Sequence, residues 1–354
     1  MQVLVLPRYW PNGASSRLRI WQYISGLESA GWEATVLPLL RPEYLERLYT
    51  GMKPARREIS VDYIKRIFAI LKSRKYDLIW IEKEVFPFLP SAMERLIRLS
   101  NTPYIVDYDD AIFHNYDQHR LPLIRRFLGQ KLDKLLQGSA AVTAGNPYLA
   151  DYCRYHGATN VHEIPTVINI ERYNAAPLPG GKTLRIGWIG SPSTTPFLSK
   201  ILPQLAIAAK DVPIILVTIG ASPLQQQGLA VEQHSWSESN EARLLQTIDI
   251  GIMPLSDTPF ERGKCGYKLI QYMGAGRPVV ASAIGVNRDI VTKETGFLVE
   301  NDIDWTAAIK EAYNSRERLT KMGIAARERA ENNYSLQVTL PRLLEIFDAA
   351  TTSI

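Results

Sequence analysis

The densest gathering of side chains able to do chemistry is ERGKCGYKLIQYMGAGRPVVAS, residues 261–282. Arg262, Lys264 and Lys268 are interleaved with Gly263 and Gly266, ahead of an apolar stretch with helical spacing. A helix start offers unpaired backbone N–H groups and the positive end of the helix dipole, so glycines and cations placed there suit a diphosphate. Lys264 and Lys268 are four residues apart and share a face only if the helix begins early; Lys264 is expected in the loop. Gln271, one turn after Lys268, can bond a ribose hydroxyl. The alternative is a basic loop ahead of a helix, with Gln271 solvated.

Two further groups lie in the first half. The loop PRYWPNGASSRLR (7–19) follows an apolar run. Its Gly13 permits close backbone approach, and Ser15, Ser16 and Arg17 can meet phosphate or acceptor hydroxyls; the serines can equally cap the next helix. This loop is not a GxGxxG nicotinamide fingerprint, and none occurs elsewhere. In VDYDDAIFH (106–114), carboxylates gather at the end of a strand-like run. Asp109 and Asp110 can orient or deprotonate a hydroxyl, or cap the following helix, and His114 and His119 stand nearby. The two cysteines, Cys153 and Cys265, are too far apart to suggest a disulfide framework or a metal cluster, and read as reduced cytosolic thiols.

The elements that must position these groups follow from length and periodicity. A chain of 354 residues, 46% hydrophobic and 22% charged, reads as a soluble globular protein of two domains. No stretch has the length of a transmembrane helix, and the opening MQVLVLPRYW reads as a buried strand rather than a signal segment. Strand-like runs occupy 3–6, 34–39, 78–81, 104–107, 141–144 and 161–164, then 184–189, 214–219, 229–234, 249–254, 278–282 and 297–299. Amphipathic stretches separate many of them. In 58–75, Val61, Ile64, Ile67, Phe68 and Leu71 fall on one helical face. This rhythm predicts an α/β protein of two Rossmann-like, doubly wound parallel-sheet domains facing across a cleft. The Pro/Gly-rich stretch 174–183 divides them, giving an N-terminal domain 1–173 and a C-terminal domain 174–335, with a last helix at about 336–354 packing back on the first.

Charge is unevenly placed. Residues 1–170 carry 22 Lys and Arg against 17 Asp and Glu, whereas the rest carries 19 of each. The basic half favours an anionic partner such as a phospholipid surface or a lipid diphosphate; ordinary solvated helix faces are the alternative. The basic, amphipathic stretch 119–138 has Lys131 within its apolar face. It reads either as a surface helix docking on a membrane or as a helix packed on the N-terminal sheet.

With these residues in view, 261–282 resembles the donor-binding region of the retaining family-4 glycosyltransferases of the GT-B fold. The resemblance rests on YMGAGRPVVAS (272–282) and GFLVEN (296–301), and extends to GWIGSPST (187–194), Trp236-Ser237, AGNPYLADY (144–152), IPTVIN (164–169) and Tyr334-Ser335. It covers nearly the whole chain in consistent order. It departs from the family where two glutamates, seven residues apart, precede the Met-Gly stretch: Gly263 and Gln271 occupy those positions. Glu261 is a candidate stand-in for the sugar contact.

The resemblance implies an N-terminal acceptor domain and a C-terminal domain binding a UDP- or GDP-sugar, with no metal or other cofactor required. It implies transfer with retention to a saccharide or lipid-linked saccharide. Lys264 and Lys268 would neutralise the leaving diphosphate, with Gly190, Ser191, Ser193, Thr194 and Trp236 adding donor contacts and Arg262 nearby. Asp109, Asp110, Ser15, Ser16 and His114 would serve the acceptor. The expected setting is cytoplasmic, with contact at the inner membrane leaflet through the basic half and no nucleic-acid partner. A non-catalytic nucleotide-sugar-binding or assembly subunit, and a nucleotide-sugar epimerase, remain alternatives.

Overall fold

In the computed structural model, which describes residues 1–352 apart from the Tyr49 side chain, the chain forms two compact units. Unit 1 comprises Met1–Thr166, the tripeptide Gly263–Cys265 and the chain from Thr339 onward; unit 2 comprises Val167–Arg262 and Gly266–Val338. Each of the apolar runs noted above contributes a strand.

Unit 1 is built on β1 (Gln2–Leu6), β2 (Glu33–Val36), β3 (Leu78–Glu82), β4 (Tyr104–Tyr108), β5 (Ala141–Ala144) and β6 (Val161–Glu163). All pair in parallel, in the order β2-β1-β3-β4-β5-β6. The central strands are apolar on both faces because helices cover both. Leu4, Leu6, Ile79, Ile81, Val106 and Val142 pack with Phe86, Phe113 and Leu149 in the core. Strand order reverses between β1 and β3, so the loops leaving these two strands diverge and open a crevice at their carboxyl ends.

Unit 2 uses β7 (Leu184–Ile189), β8 (Ile214–Ile219), β9 (Ala230–His234), β10 (Ile250–Met253), β11 (Val279–Ser282) and β12 (Gly296–Val299). Their parallel order, β12-β11-β10-β7-β8-β9, places the switch point between β7 and β10. A Cβ on Gly251 would stand 2.2 Å from the Tyr272 ring, so the missing side chain lets that ring lie against β10. The Tyr272 hydroxyl then accepts from Ile189 N at 2.8 Å and donates to the Ile252 carbonyl at 3.2 Å. The stretch 174–183 belongs to unit 2, where Arg277 donates to the carbonyls of Ala176 (3.0 Å) and Pro177 (3.1 Å).

Two amphipathic stretches fold differently from their sequence reading. The helix Arg56–Leu71 carries the apolar stripe its spacing predicts, but of its five residues only Ile67 packs on the core, while Val61, Ile64, Phe68 and Leu71 are 40–57% exposed. Its inward face carries Asp62, Arg66 and Ile70. The reason is the backbone beyond β1 and β2, whose buried carbonyls need donors. Arg66 supplies them to Pro7 (2.9 Å) and Leu37 (3.0 Å), and Asp62 pairs with Arg41 at 2.8 Å. The stretch 119–138 forms two short helices, Pro122–Leu128 and Asp133–Leu136, with Lys131 buried between them.

The final helix, Leu336–Thr352, joins unit 1 from Thr339. Phe347 meets Trp80 and Trp32 edge-on, and the Thr339 hydroxyl lies 2.8 Å from that of Tyr23. Residues 353 and 354 of the expected helix lie outside the described residues.

Candidate functional site

At the switch point of unit 1 the strand ends carry charge. β3 closes on Glu82, and the next residue, Lys83, has φ +66° while Glu84 N bonds back to the Glu82 carbonyl at 2.8 Å. This is a γ-turn in the left-handed region, a strained conformation for a lysine. It aims the buried Lys83 ammonium at Asp109, just beyond β4, with Nζ 2.9 Å from Oδ1, and at Asp110, 3.8 Å away. Ser15 donates to the other Asp109 oxygen. Burial pushes the Asp109 carboxyl up, but Lys83, Arg19 and the Ser15 hydroxyl outweigh it and hold the group below the usual 3.8. Burial opposes the Lys83 charge too, yet Asp109, Asp110 and Glu82 keep its pKa above the ordinary lysine value.

Glu82 is 1% exposed. One carboxyl oxygen accepts from Arg8 N at 2.8 Å and the Ser16 hydroxyl at 2.5 Å; the other has no hydrogen-bond partner among the described residues. Burial raises its pKa above 4.5, with Lys83 pulling the other way. Next to it, Glu84 receives the Tyr116 hydroxyl at 2.8 Å and the Lys131 ammonium at 2.8 Å, and Lys131 also reaches Glu94 at 3.0 Å. Lys131, the cation that interrupts an apolar face in the sequence, is thus neutralised by two buried carboxylates.

The tripeptide Gly263–Cys265 completes this cluster. Asn146 caps the helix Pro147–Tyr155 through Leu149 N at 2.9 Å, and its amide donates to the carbonyls of Gly263 (2.9 Å) and Lys264 (3.1 Å). The thiol of Cys265 donates to the Asp109 carbonyl at 3.1 Å. The Lys264 ammonium lies 3.8 Å from Asp110. Asp110, with its side chain 31% exposed, is therefore an accessible carboxylate facing two lysines, whereas Asp109 is committed to a buried pair.

In unit 2, Gly266 adopts φ +66° and the helix Tyr267–Gly274 begins directly after it. The Gly266 carbonyl closes the first turn by accepting from Leu269 N at 2.9 Å, and the positive end of the helix dipole lies at this start. Lys268 lies on that first turn, its ammonium 5.7 Å from the centre of the Trp188 ring of β7. Since the helix starts at Tyr267, Lys264 and Lys268 share no helical face. Gln271 is buried, its amide nitrogen 3.5 Å from the Tyr173 hydroxyl. The Tyr173 hydroxyl donates to Glu241, which also accepts from the Trp236 indole at 2.7 Å, leaving Trp236 37% exposed. Tyr173 and Glu241 help line a cavity of about 690 Å³ in this unit, together with Arg172, Glu238, Ser239 and Ala242.

The remaining sequence-picked residues fall as follows. Gly13 closes a turn onto the Trp10 carbonyl, and a Cβ there would stand 2.6 Å from that of Tyr9. Arg17 donates to the Pro11 carbonyl at 3.0 Å. Ser16 is buried between Glu82 and Tyr9 N, so it anchors the loop. Both ring nitrogens of His114 are engaged, by Asp117 and by the Tyr148 hydroxyl, each at 2.8 Å. Beyond Gly190, Ser191 and Thr194 form a capping box. Glu261 pairs with Thr258, and Arg262 makes a two-pronged bond to Asp257 at 2.6 and 2.9 Å. The sequence reading missed Arg8, Glu82, Lys83 and Glu84. Its own rule for carboxylates at a strand's end, applied to the Glu-Lys-Glu after 78–81, finds the last three.

Residues 184–315 match the family model described as Glycosyl transferases group 1. The fold is similar to that of a sucrose-phosphate synthase from Thermosynechococcus elongatus, with 15% identity, a TM-score of 0.76 and all of both chains covered. It is similar also to HepE of Anabaena in complex with UDP-glucose, at 14% identity and TM-score 0.72, over 99% of this chain and 100% of that one. A third similar structure is WaaG, a glycosyltransferase involved in lipopolysaccharide biosynthesis, at 13% identity and TM-score 0.69, over 98% and 99% of the two chains. No curated protein matches the chain by sequence. At these identities the structural likeness establishes the fold: a two-unit, Rossmann-like α/β protein of the GT-B type. Together with the matched segment, it supports a nucleotide-sugar-dependent glycosyltransferase.

Proposed function

We propose that the protein moves a sugar, with retention, from a UDP- or GDP-sugar to a saccharide acceptor, free or lipid-linked, in the synthesis of cell-surface polysaccharide or glycolipid. The observation that carries this reading is Asp110, a partly exposed carboxylate just beyond β4, 3.8 Å from both Lys83 and Lys264. Asp110 orients the acceptor hydroxyl and takes its proton as the oxygen bonds to the sugar's anomeric carbon. The bond from that carbon to the diphosphate breaks, and Lys264, Lys268 and the start of the helix Tyr267–Gly274 receive the negative charge. That charge is met by the protein's own cations, so the reaction requires no metal. The resemblance to family 4 supports retention, and the HepE complex with UDP-glucose and the lipopolysaccharide role of WaaG support the donor and acceptor classes. The expected setting is cytoplasmic, with peripheral contact at the inner leaflet.

A second reading, a nucleotide-sugar binder without turnover, is favoured by Gly263 and by the buried Gln271 where the resembled family has glutamates. Release of nucleotide diphosphate from a panel of donors, with crude lipid acceptor, separates the two. Turnover that Lys268→Ala lowers about 10²-fold with little change in Tm supports transfer. Tight donor binding with no turnover supports the binder, and a Lys268→Ala effect confined to stability removes that residue from the site.

A further inference from the structure

We infer that the outward face of the helix Arg56–Leu71 is the surface by which unit 1 docks on an anionic phospholipid bilayer. This deepens the membrane contact proposed above and assigns it to particular residues. The helix packs Tyr63, Ile67 and Ile70 on the core and carries a second apolar stripe on the opposite side. Val61, Ile64, Phe68 and Leu71, spaced at three, four and three residues, form one continuous stripe and are 40, 52, 57 and 53% exposed. Large apolar side chains scattered singly on a surface need no explanation, but a stripe along one helical face does.

The charges around the stripe specify what covers it. Arg56, Arg57, Lys65 and Lys72 are exposed on and just beyond this helix, and Arg74 and Lys75 follow. Of its two acids, Asp62 is buried against Arg41, and Glu58, on the same flank as Lys65, is half-buried and paired with Arg47 at 3.3 Å. Exposed cations thus outnumber the one partly exposed, Arg47-paired acid beside this apolar face, the pairing that lies flat at a bilayer interface, with apolar groups among acyl chains and cationic groups among anionic headgroups. A protein partner of ordinary composition does not call for so one-sided a charge. No helix among the described residues is long and apolar enough to cross a membrane, which leaves interfacial contact as the mode available to this helix.

The face is also held rigidly. The Arg66 guanidinium is fixed on the Pro7 and Leu37 carbonyls, and Ile70 is fully buried, so the stripe is presented without folding on contact. The sequence-picked basic stretch offers less. Its helix Pro122–Leu128 exposes Leu123 and Phe127 but is seven residues long and has no buried residue.

The test is flotation of the full chain with vesicles of pure phosphatidylcholine or of phosphatidylcholine containing phosphatidylglycerol, with donor turnover and Tm measured alongside. The wild type should bind the anionic vesicles and lose them at high salt. Ile64→Glu with Phe68→Glu should weaken binding roughly tenfold or more, and Lys65→Glu with Lys72→Glu should do the same. Because all four positions are exposed, Tm and soluble donor turnover should stay near wild type. Leu123→Glu with Phe127→Glu serves as the control and should retain binding. Absence of wild-type binding, equal binding of the Ile64/Phe68 variant, or loss in the control alone overturns the assignment. So does a dimer that the Ile64/Phe68 variant splits without vesicle binding, which would make the face a self-association surface. Donor turnover persisting without vesicle binding rejects this inference while leaving the transferase reading standing.

Discussion

The Lys83 ammonium lies 2.9 Å from Asp109 Oδ1, with the two side chains only 6% and 10% exposed. The lysine reaches that carboxylate from a γ-turn that forces its φ to +66°. A non-glycine residue in such a region costs on the order of 1–3 kcal/mol and persists only where its surroundings impose it. Here the surroundings are β3 and β4, since Lys83 N is itself bonded to the Asp107 carbonyl at 2.8 Å. The ion pair and the strained turn are therefore one feature.

Lys83→Met removes the charge and leaves the buried Asp109 carboxylate with the Ser15 hydroxyl as its near donor. The expected loss of stability is about 3–5 kcal/mol, and Asp109→Asn in the same chain should restore part of it. Equilibrium denaturation of the two single variants and the double variant checks this. Simple additivity would show that the two residues do not act as a pair.

Asp110→Asn and Asp109→Asn should behave in opposite ways. Asp110 is 31% exposed and 3.8 Å from each lysine, so losing its charge should shift stability by about 1 kcal/mol or less. Turnover should fall about 10²-fold, as for a residue that handles a proton. Asp109→Asn leaves Lys83 buried without its closest partner and should act mainly on stability. Parallel initial rates and melting curves separate the two effects, and an active Asp110→Asn enzyme would remove that residue from the site.

Glu82 carries a pH signature. Its folded pKa lies above the ordinary 4.5, so the folded protein binds the proton more tightly than the unfolded chain. Its contribution to stability is full below about pH 4.5 and is lost as pH rises through the folded value. Glu82→Gln cannot ionise, so its Tm relative to wild type should climb with pH across that window. A constant difference between the two melting profiles would show that Glu82 does not titrate there. Asp109, shifted the other way, acts in a separate window below 3.8.

Restoring a glutamate at Gly263 should harm the protein. A Cβ at this position would stand 2.5 Å from that of Ala111 and 3.0 Å from Ala111 N. Gly263→Ala alone should cost about 1–3 kcal/mol by overpacking, and Gly263→Glu at least as much, with turnover falling rather than rising. Melting and donor-turnover measurements on both variants decide the matter, and unchanged Tm with faster turnover would mean that the position has room.

Much of the site was legible because the chemistry sits at strand ends, where an apolar run stops and charge begins. Asp109 and Asp110 were found that way. Glu82, Lys83 and Glu84 obey the same pattern, but their apolar run was read as a strand and its charged edge was passed over. Asn146 shows another limit. Its capping signal is local and readable, since Asn-Pro opens a helix. Its bonds to the carbonyls of Gly263 and Lys264, more than a hundred residues away, follow from no spacing.

Sequence alone determined the alternation of buried parallel strands and helices, because an apolar run of four to six residues has few other places to go. It also determined which segments carry cations, carboxylates and glycines. Tertiary structure decided the direction each faces. Periodicity showed that Val61, Ile64, Phe68 and Leu71 share a face, but that face turned outward because strand-end carbonyls claimed Arg66 for the interior. Lys131, a cation within an apolar pattern, became a buried bridge between Glu84 and Glu94. Lys264 and Lys268, neighbours in the chain, were divided between unit 1 and unit 2. In each case a buried polar group had to find a partner, and only the folded chain shows which partners are within reach.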